Sequence, residues 1–519
     1  MSKPRSKVLR PGQPLVHEST FDRPLLGFAP AAGDPLGRLE EAAFWLETYG
    51  QTFTSEPQRV FELVNRVDEQ VHRDRLALTR EYLAAAGRMQ RLREQRVWGT
   101  VVRFARMLAG GYEACLGLFQ SGASGAAALR PLLPVVAART LRAHTLDLRW
   151  TLLRYGAVEP TIWSRMGSIY AFSERAGLER ATFKVYPGME QDSSVRREYL
   201  RALLLSVSGM ENMLPPSQVI AERAIAYVAE FFLLHRKPAR GCHFAVDLDA
   251  SRPPYRMGEG LQMAKSWRFF GPGDAAVLIN GLAERTEQTG AAPAELRLLG
   301  GFAAPTVIEV LRHLSRFWGP TPPERSELRQ QVLSNANVAH GFEDVFAAVA
   351  GAPPGVDLDE LTEIWTVENE SDGGFGAMLP ARIDDWLSVG TLVAAKPTWP
   401  AAWSVGVVRR LSTDNVGRRS VGVQLLARGG SAVRLAPIGT APLAGPTAMG
   451  VLLPSNSHSS LASGEITIVV PNDAVSLTQA YEMRFESHSY TVVPRRVVEQ
   501  GVDFNVMRFG IRPPEARRA

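Results

Sequence analysis

The sequence predicts an α+β protein of several domains, in which an all-helical region precedes a β-rich part. At about 150 residues per domain, a chain of 519 residues is too long for one compact unit. From Leu36 to Trp318, apolar residues recur every three or four positions, which is typical of amphipathic helices. After Pro320 the pattern changes to short alternating runs separated by Gly, Pro, Asn and Asp, which is typical of antiparallel strands.

The composition indicates a folded chain without a membrane segment. Apolar residues make up 45% and charged residues 21%, as in proteins with a sizeable core. The formal net charge of +5 is too small for this length to indicate a nucleic-acid partner. No apolar run of 18 residues and no apolar leader occur, so we expect a cytoplasmic protein with no membrane insertion. Cys115 and Cys242 suit neither a disulfide framework nor a metal knuckle and are predicted to be core thiols.

The helical region is predicted to span residues 35–318, after a proline-rich extended arm at 1–34. The stretch Ile162–Tyr170 matches the W-x2-L-G-x2-Y opening of a tetratricopeptide helix, with Met in place of Leu and with Gly167 allowing two helices to approach. A single copy is clear, and arrays need about three repeats, so a solenoid and a non-repeating bundle both stay open. Helices are predicted at Val195–Val207 and Pro216–Leu234, and a strand at His243–Leu248.

The β-rich part divides into two segments, 319–435 and 436–511, before a tail at 512–519. A Pro/Gly-rich stretch at 436–446 separates the segments. The runs predicted as strands are Trp365–Val367, Gly390–Ala394, Val405–Arg409, Val421–Leu425, Glu465–Val470, Met483–Glu486 and Phe504–Phe509. Their spacing favours a barrel or sandwich, with a hairpin turn at Thr413–Gly417. The second segment is either a small barrel-like unit or an extension of the first sheet.

Motifs for catalysis are absent from the sequence. The stretch Gly258–Ser266 resembles a phosphate-binding loop, but Ala264 replaces the glycine required before the lysine. No HExxH, GxSxG or GxGxxG occurs, and the nine histidines are scattered. We therefore expect a protein that is not an enzyme and that has no cofactor and no metal.

Two motifs in order stand out in the first β segment. Arg325 and Arg329 form an R-x3-R pair, and Asn369–Gly374 reads (D/N)-x-S-x-x-G directly after a predicted strand. Here the chain resembles the PilZ domain family, the bacterial receptors for cyclic di-GMP. The strand-turn-strand pattern of Trp403–Leu426 is similar to the closing strands of that family's antiparallel β-barrel. The resemblance implies a PilZ-like barrel over residues 319–435, with the arginines on its N-terminal linker.

The second motif carries most of this resemblance. About five R-x3-R matches are expected by chance in a chain so rich in arginine. Further matches do occur at Arg197/Arg201, Arg252/Arg256 and Arg312/Arg316. The second motif is expected by chance only roughly 0.2 times.

The resemblance implies a role for each motif residue. Arg325 and Arg329 would grip the phosphates or the guanine edges of cyclic di-GMP, because a guanidinium fork suits both. Asn369 and Ser371 would supply short polar groups to base and ribose. Gly374 would let the backbone pass closely under the ligand.

The sequence thus predicts a cyclic di-GMP receptor that signals to its helical region, which would bind an unidentified protein partner. The alternative is a scaffold protein whose degenerate PilZ barrel no longer binds nucleotide. An RNA-binding protein is a weaker interpretation, because aromatic and basic residues do not interleave on the predicted strands.

Overall fold

The computed structural model describes most of the chain. The residues it describes are 34–50, 56–84, 89–188, 191–258, 264–298, 301–321, 329–351, 361–380, 387–397, 402–438, 447–454, 464–485 and 488–512. The predicted arm at 1–34 and the tail at 512–519 therefore lie outside the described residues, apart from Asp34 and Arg512.

Ten described helices build the N-terminal region. They are α1 Pro35–Gly50, α2 Pro57–Ala84, α3 Arg91–Gln120, α4 Ala126–Leu129, α5 Leu133–Leu153, α6 Thr161–Arg175, α7 Val195–Val207, α8 Pro215–Val228, α9 Ala275–Thr289 and α10 Ala304–Trp318. One continuous apolar core joins them, because each long helix turns a stripe of buried residues inward. Among the described helices, none is long and apolar enough to cross a bilayer.

The packing of α6 favours the bundle over the tetratricopeptide alternative. A Cβ atom on Gly167 would lie 2.1 Å from the carbonyl oxygen of Leu248, so glycine here admits the end of a strand rather than a second helix. Tyr170 stacks on Tyr199 of α7, with ring centroids 4.6 Å apart. The described helices range from 4 to 30 residues and do not recur as a pair of constant length.

A small antiparallel sheet is inserted in the helical region. Its strands are β1 Leu233–His235, β2 Phe244–Asp247, β3 Tyr255–Arg256 and β4 Trp267–Gly271, in the order β1-β4-β2-β3. The strand predicted at His243–Leu248 is confirmed as β2. The helix predicted to reach Leu234 ends at Val228, because the following residues form a 3-10 turn and then pair with β4 as β1.

The first closed barrel contains six strands. They are β5 Gln330–His340, β6 Glu363–Ser371, β7 Gly374–Met378, β8 Leu392–Pro397, β9 Ser404–Thr413 and β10 Arg419–Ala427. The strand order is β10-β7-β6-β5-β8-β9, with β9 and β10 paired to close the ring. Trp365, Val367, Phe375 and Val423 belong to its buried interior.

A second closed barrel follows, so the C-terminal segment is a separate unit and not an extension of the first sheet. Its strands are β11 Ser431–Pro437, β12 Ala448–Leu453, β13 Glu465–Pro471, β14 Tyr481–Phe485, β15 His488–Gln500 and β16 Phe504–Arg512. They follow the order β11-β12-β13-β16-β15-β14. A helix, α11 Phe342–Ala350, contributes to an apolar cluster shared by the two barrels.

All seven predicted strand runs lie in or overlap observed strands, and the hairpin turn at Thr413–Gly417 is confirmed. Asp414 stabilises that turn by accepting hydrogen bonds from the backbone N–H groups of Val416 and Arg418, at 2.9 and 2.8 Å. Strands β5, β7, β11, β12 and β15 were not anticipated. Cys115 and Cys242 are buried free thiols, as predicted.

Asp68 is the centre of a buried polar network in the helical region. Its fully buried carboxylate accepts hydrogen bonds from the hydroxyls of Tyr112 and Tyr186, both at 2.9 Å, and pairs with Arg75 at 3.3 Å. Burial, together with the nearby carboxylate, raises the pKa of both tyrosines, so they remain protonated donors. The network ties α2 to α3 and to the connector that precedes α7.

The Asp68→Ala substitution should strongly destabilise the helical region. It leaves a buried guanidinium without its counter-charge and two buried hydroxyls without an acceptor, at a cost of about 3–5 kcal/mol. Urea unfolding followed by circular dichroism at a helical wavelength measures the change. Glu81→Ala on the same helix is the control, since its ion pair with Arg93 is exposed and should contribute no more than about 1 kcal/mol. Equal losses in the two variants would contradict the structural role of the network.

Candidate functional site

A cavity of about 690 Å³ lies against the first barrel. Strands β6, β7, β9 and β10 form most of its wall, and the chain just before β5 and one residue of the helical region complete it. The lining residues used below are Asn212, Arg329, Glu368, Asn369, Ser371, Gly374, Gly376, Arg409, Arg410, Gly422 and Gln424. Four of the five residues predicted to bind ligand, namely Arg329, Asn369, Ser371 and Gly374, therefore meet in one cavity. The fifth, Arg325, lies outside the described residues.

Strand register brings Arg329 beside Asn369. Gln331 of β5 pairs with Asn369 of β6, and Arg329 lies two residues earlier on the same chain. The guanidinium Nη1 donates a hydrogen bond of 2.6 Å to the side-chain oxygen of Asn369. A Cβ on Gly376 would lie 2.8 Å from that oxygen and 3.1 Å from Nη1, so a side chain at position 376 would displace the pair.

Glycines form the floor of the cavity. Gly376 pairs with both Asn369 and Gly422, and Gly374 pairs with both Ser371 and Gln424. Since side chains alternate across a strand, these glycines lie on the face opposite the buried Phe375 and Val423. At the glycine positions the outer face of the sheet is therefore bare backbone, whereas neighbouring positions on that face carry polar side chains.

The hairpin between β6 and β7 contains the second half of the motif. The Ser371 hydroxyl donates a hydrogen bond of 3.3 Å to the carbonyl oxygen of Gly374, which fixes its position at the cavity edge. A Cβ on Gly374 would lie 2.1 Å from the carbonyl oxygen of Val423. Strand packing itself thus requires glycine at position 374, which adds a structural reason to the one expected from the resemblance.

Two arginines from β9 were missed by the sequence reasoning. Arg409 donates to Gln424 at 2.8 Å and forms a bidentate pair with Glu499 of the second barrel, at 2.6 and 2.7 Å. Arg410 is exposed and pairs in register with Gly422. The side chain of Arg410 has no hydrogen bond or ion pair within the described part of the chain. The consecutive arginines in an alternating strand were the available signal, because one of any two neighbours must face outward.

Asn212 connects the cavity to the helical region. It ends a 3-10 turn at Met210–Asn212, which packs against β9. Nearby, the Tyr155 hydroxyl donates to the carbonyl oxygen of Met213 at 2.9 Å, and its ring belongs to the apolar cluster of the first barrel. No local sequence signal could identify the contact between the Met210–Asn212 turn and β9, because the two segments are separated by about two hundred residues.

The chemistry of the cavity suits an anionic ligand with polar edges. Three arginines line it, against one carboxylate, that of Glu368. The described lining contains no histidine and no cysteine, and the described residues hold no cluster that could ligate a metal. The donors available are guanidinium forks, short amide and hydroxyl side chains and strand backbone.

Comparison with known proteins found a similarity for the helical region. No curated protein matches the chain. Residues 30–239 match the family model described as the N-terminal domain of the cyclic-di-GMP receptor FimW. The match covers less than half of the chain and ends before β2, so the PilZ resemblance of the first barrel remains a prediction. The family match supports a relationship between this protein and cyclic di-GMP receptors.

Proposed function

We propose that the protein is a cytoplasmic receptor for cyclic di-GMP that binds the nucleotide in the cavity of the first barrel and signals to its helical region. The observation that carries this proposal is the meeting of Arg329, Asn369 and Ser371 around a floor of glycines. The family match of residues 30–239 supports the same ligand independently, because it involves a different part of the chain.

The side chains suit the two kinds of group that the ligand presents. The Arg329 guanidinium can bind a phosphate or the O6/N7 edge of guanine with two parallel bonds. Its hydrogen bond to Asn369 holds the fork in place beforehand, which lowers the entropy lost on binding. Arg410 provides a second cation across the cavity, and we propose that Arg325 closes on the ligand from the linker. The bare floor at Gly422 leaves space for a flat base against the strand backbone.

We propose that the barrel cavity binds its ligand without changing it chemically. General acid–base catalysis needs a proton donor and acceptor positioned on the reacting group. Glu368 is the single carboxylate of the described lining, and it has no histidine or cysteine beside it in the cavity.

A scaffold whose barrel does not bind nucleotide is the second candidate, favoured by one observation. The Arg409 guanidinium is already neutralised by Glu499, so part of the positive charge at the cavity is satisfied within the protein. Calorimetric titration with cyclic di-GMP separates the two: a saturable heat supports the receptor, and its absence supports the scaffold.

The route of signalling is proposed to pass through the 3-10 turn at Met210–Asn212. A Cβ on Gly209 would lie 2.3 Å from the Phe317 ring, so the turn begins in tight contact with α10. The indole N–H of Trp318 donates to the Ser208 hydroxyl at 2.9 Å. Residues 208–212 thus contact the last turn of α10 at one end and line the cavity at the other. A displacement of the cavity wall would be transmitted through them to α10, the helix that precedes the arginine linker. The helical region would then present an altered surface to its protein partner.

Arg329→Ala should weaken cyclic di-GMP binding by roughly 10- to 150-fold. It removes charge-assisted hydrogen bonds worth about 1.5–3 kcal/mol, and Arg325→Ala should cost a similar amount. Isothermal calorimetry on the full chain measures the change. Arg312→Ala is the matched control, since it belongs to another R-x3-R pair and its exposed side chain pairs with Glu287. A loss in Arg312→Ala with unchanged affinity in Arg329→Ala would place the ligand elsewhere.

Gly422→Leu should abolish binding while the barrel stays folded. The new side chain would occupy the cavity floor, and the nearest atom to its Cβ is the Cβ of Arg410 at 3.3 Å, which leaves the strand backbone unobstructed. Gly374→Leu is unsuitable as this test, because it would collide with the Val423 backbone. The control is Gly281→Leu on α9, where nothing lies within 4 Å of the added Cβ. Calorimetry with circular dichroism checks both properties, and wild-type affinity in folded Gly422→Leu would remove this floor from the site.

Saturating cyclic di-GMP should slow hydrogen exchange in residues 209–214 as well as in the barrel strands. The ligand would fill the cavity that Asn212 lines and so hold the 3-10 turn against β9. Tyr155→Phe, which removes the hydroxyl bonded to Met213, should keep the affinity and reduce the protection of this segment. Mass spectrometry of exchanged peptides gives the comparison. Protection confined to the barrel in the wild-type chain would argue for a binding module without this relay.

A further inference from the structure

A second cavity, of about 550 Å³, lies inside the helical region. Helices α2, α5, α7 and α8 and the connector before α7 surround it. Its charged or ionisable lining residues are His72, Arg75, Arg142, Arg149, Tyr186, Asp192, Arg197, Glu198, Arg201, Glu222, Arg223 and Arg297. Seven arginines thus face three carboxylates of the lining, and Asp68 and Glu230 next to the lining pair with Arg75 and Arg197. The arginines outnumber these five carboxylates by two.

The carboxylates are already engaged by cations of the protein, and Asp192 pairs with Lys184 at 2.8 Å. Glu198 is almost fully buried and pairs with Arg142 at 2.8 Å and with Arg201 at 3.2 Å. Glu222 pairs with Arg149 at 2.9 Å. The side chain of Arg223, the next residue along α8, is half-buried and has neither an ion pair nor a hydrogen bond within the described part of the chain. The protein therefore supplies fewer anions than this cavity has cations.

The pKa shifts differ among the arginines of the cavity. Acidic neighbours outweigh the effect of burial and raise the pKa of Arg75 and Arg142. Burial lowers the pKa of Arg149, and neighbouring Arg223 and Arg75 lower it further against the opposing effect of Glu222. Burial likewise lowers the pKa of Arg201, with Glu198 opposing and Arg142 adding to the shift. Like charges held together in a poorly solvated space repel one another, and a bound anion would relieve that repulsion.

His72 adds a neutral polar edge. Its pKa falls to about 4 through burial and the charge of Arg75, so the ring is neutral at pH 7. The Arg75 guanidinium lies 2.7 Å from Nδ1 of His72, and because a guanidinium can only donate, Nδ1 accepts and Nε2 carries the proton. The ring lies against that of Tyr186, with centroids 4.4 Å apart and ring planes tilted by 31°. Leu76 and Leu146 also line the cavity and add apolar surface.

We propose that this cavity binds a small organic phosphate carrying two or more phosphate charges. Guanidinium forks bind phosphate oxygens bidentately, and several forks around one space suit a diphosphate or triphosphate better than a single carboxylate. The volume falls in the range of small-ligand sites, and the leucines and the neutral histidine provide contacts for a non-phosphate part. The site is separate from the barrel cavity, and the proposal does not depend on where, or whether, cyclic di-GMP binds.

The test titrates the full chain with inorganic pyrophosphate and, separately, with a nucleoside triphosphate, by calorimetry at low and moderate salt. We expect saturable binding of both that weakens as salt rises. Inorganic triphosphate is the matched probe for charge, and tighter binding of the nucleoside triphosphate than of inorganic triphosphate would show that an organic part contributes. Arg223→Gln should weaken binding roughly tenfold or more, since it removes a cation without disrupting an internal ion pair. Arg297→Gln, at the exposed rim, should weaken it as well.

Two controls make the result specific. Arg73→Gln removes an exposed cation from α2 outside the cavity and should leave phosphate affinity unchanged. Arg329→Ala in the barrel cavity should also leave it unchanged, and Arg223→Gln should leave cyclic di-GMP affinity unchanged. Absence of binding by both phosphate probes would overturn the proposal. So would phosphate binding that survives Arg223→Gln and Arg297→Gln in folded protein, or that is lost in Arg329→Ala.

Discussion

The register of β6, β7 and β10 is the constraint on which the barrel cavity depends. In that register Gly376 lies between Asn369 and Gly422, and Gly374 lies between Ser371 and Gln424. A shift by one residue would turn every side chain of a strand to the other face, burying polar groups and exposing the core. Ring closure by the β9–β10 pair leaves this sheet without a free edge. The motif residues are thus held by the same backbone bonds that hold the apolar interior, and no separate device is needed to position them.

The two cavities differ in how many arginines line them and in how these arginines are neutralised. In the barrel, Arg409 is balanced by Glu499 and Arg329 is held by a neutral amide, so the cations are few, individually positioned and partly open to solvent. In the helical region, seven arginines line one cavity with three carboxylates, and Asp68 and Glu230 pair with two of these arginines from beside the lining. The first arrangement favours recognition of a shape with defined hydrogen-bonding edges. The second arrangement favours a ligand of high total negative charge, because close cations in a poorly solvated space are stabilised most by an anion that several of them share.

The sequence predicted the class of fold and the principal motif, and the reasons lie in local patterning. Alternation and turn residues are local properties, so the runs that became β6, β9, β10 and β13 were identifiable, as was the Asp414 turn. Register is not local. Gly376, Gly422 and Arg410 acquire a role only when three strands are aligned, and Asn212 only when the helical region docks on β9. Strand β5 was missed because consecutive polar residues, Gln330–Gln331 and Ser334–Asn335, interrupt the alternation of polar and apolar side chains.

Arg197 and Arg201 also show that sequence spacing alone does not identify which arginine pair belongs to a site. As a sequence motif the pair is one of several chance matches, and nothing in the spacing separates it from Arg312 and Arg316. On α7 the four-residue spacing places both side chains on one helix face, and tertiary packing turns that face toward the second cavity. Arg312 and Arg316 share a helical spacing too, but Arg312 lies exposed and paired with Glu287. The chemistry that an arginine pair can perform is therefore decided by what the fold places opposite it.

The end of α10 shows how the two halves of the chain are held in one arrangement. Arg256 of β3 donates hydrogen bonds of 2.6 Å to the carbonyl oxygens of Phe317 and Gly319. These carbonyls belong to the last turn and the residue after it, where helices leave acceptors unsatisfied, so the guanidinium both caps the helix and fixes the direction of the chain toward the arginine linker. Ser208 holds Trp318 from the other side. Since the same loop continues into the cavity wall at Asn212, the exit of the helical region and the mouth of the barrel cavity are two ends of one packed segment. A rigid segment of this kind transmits small displacements that a flexible tether would absorb.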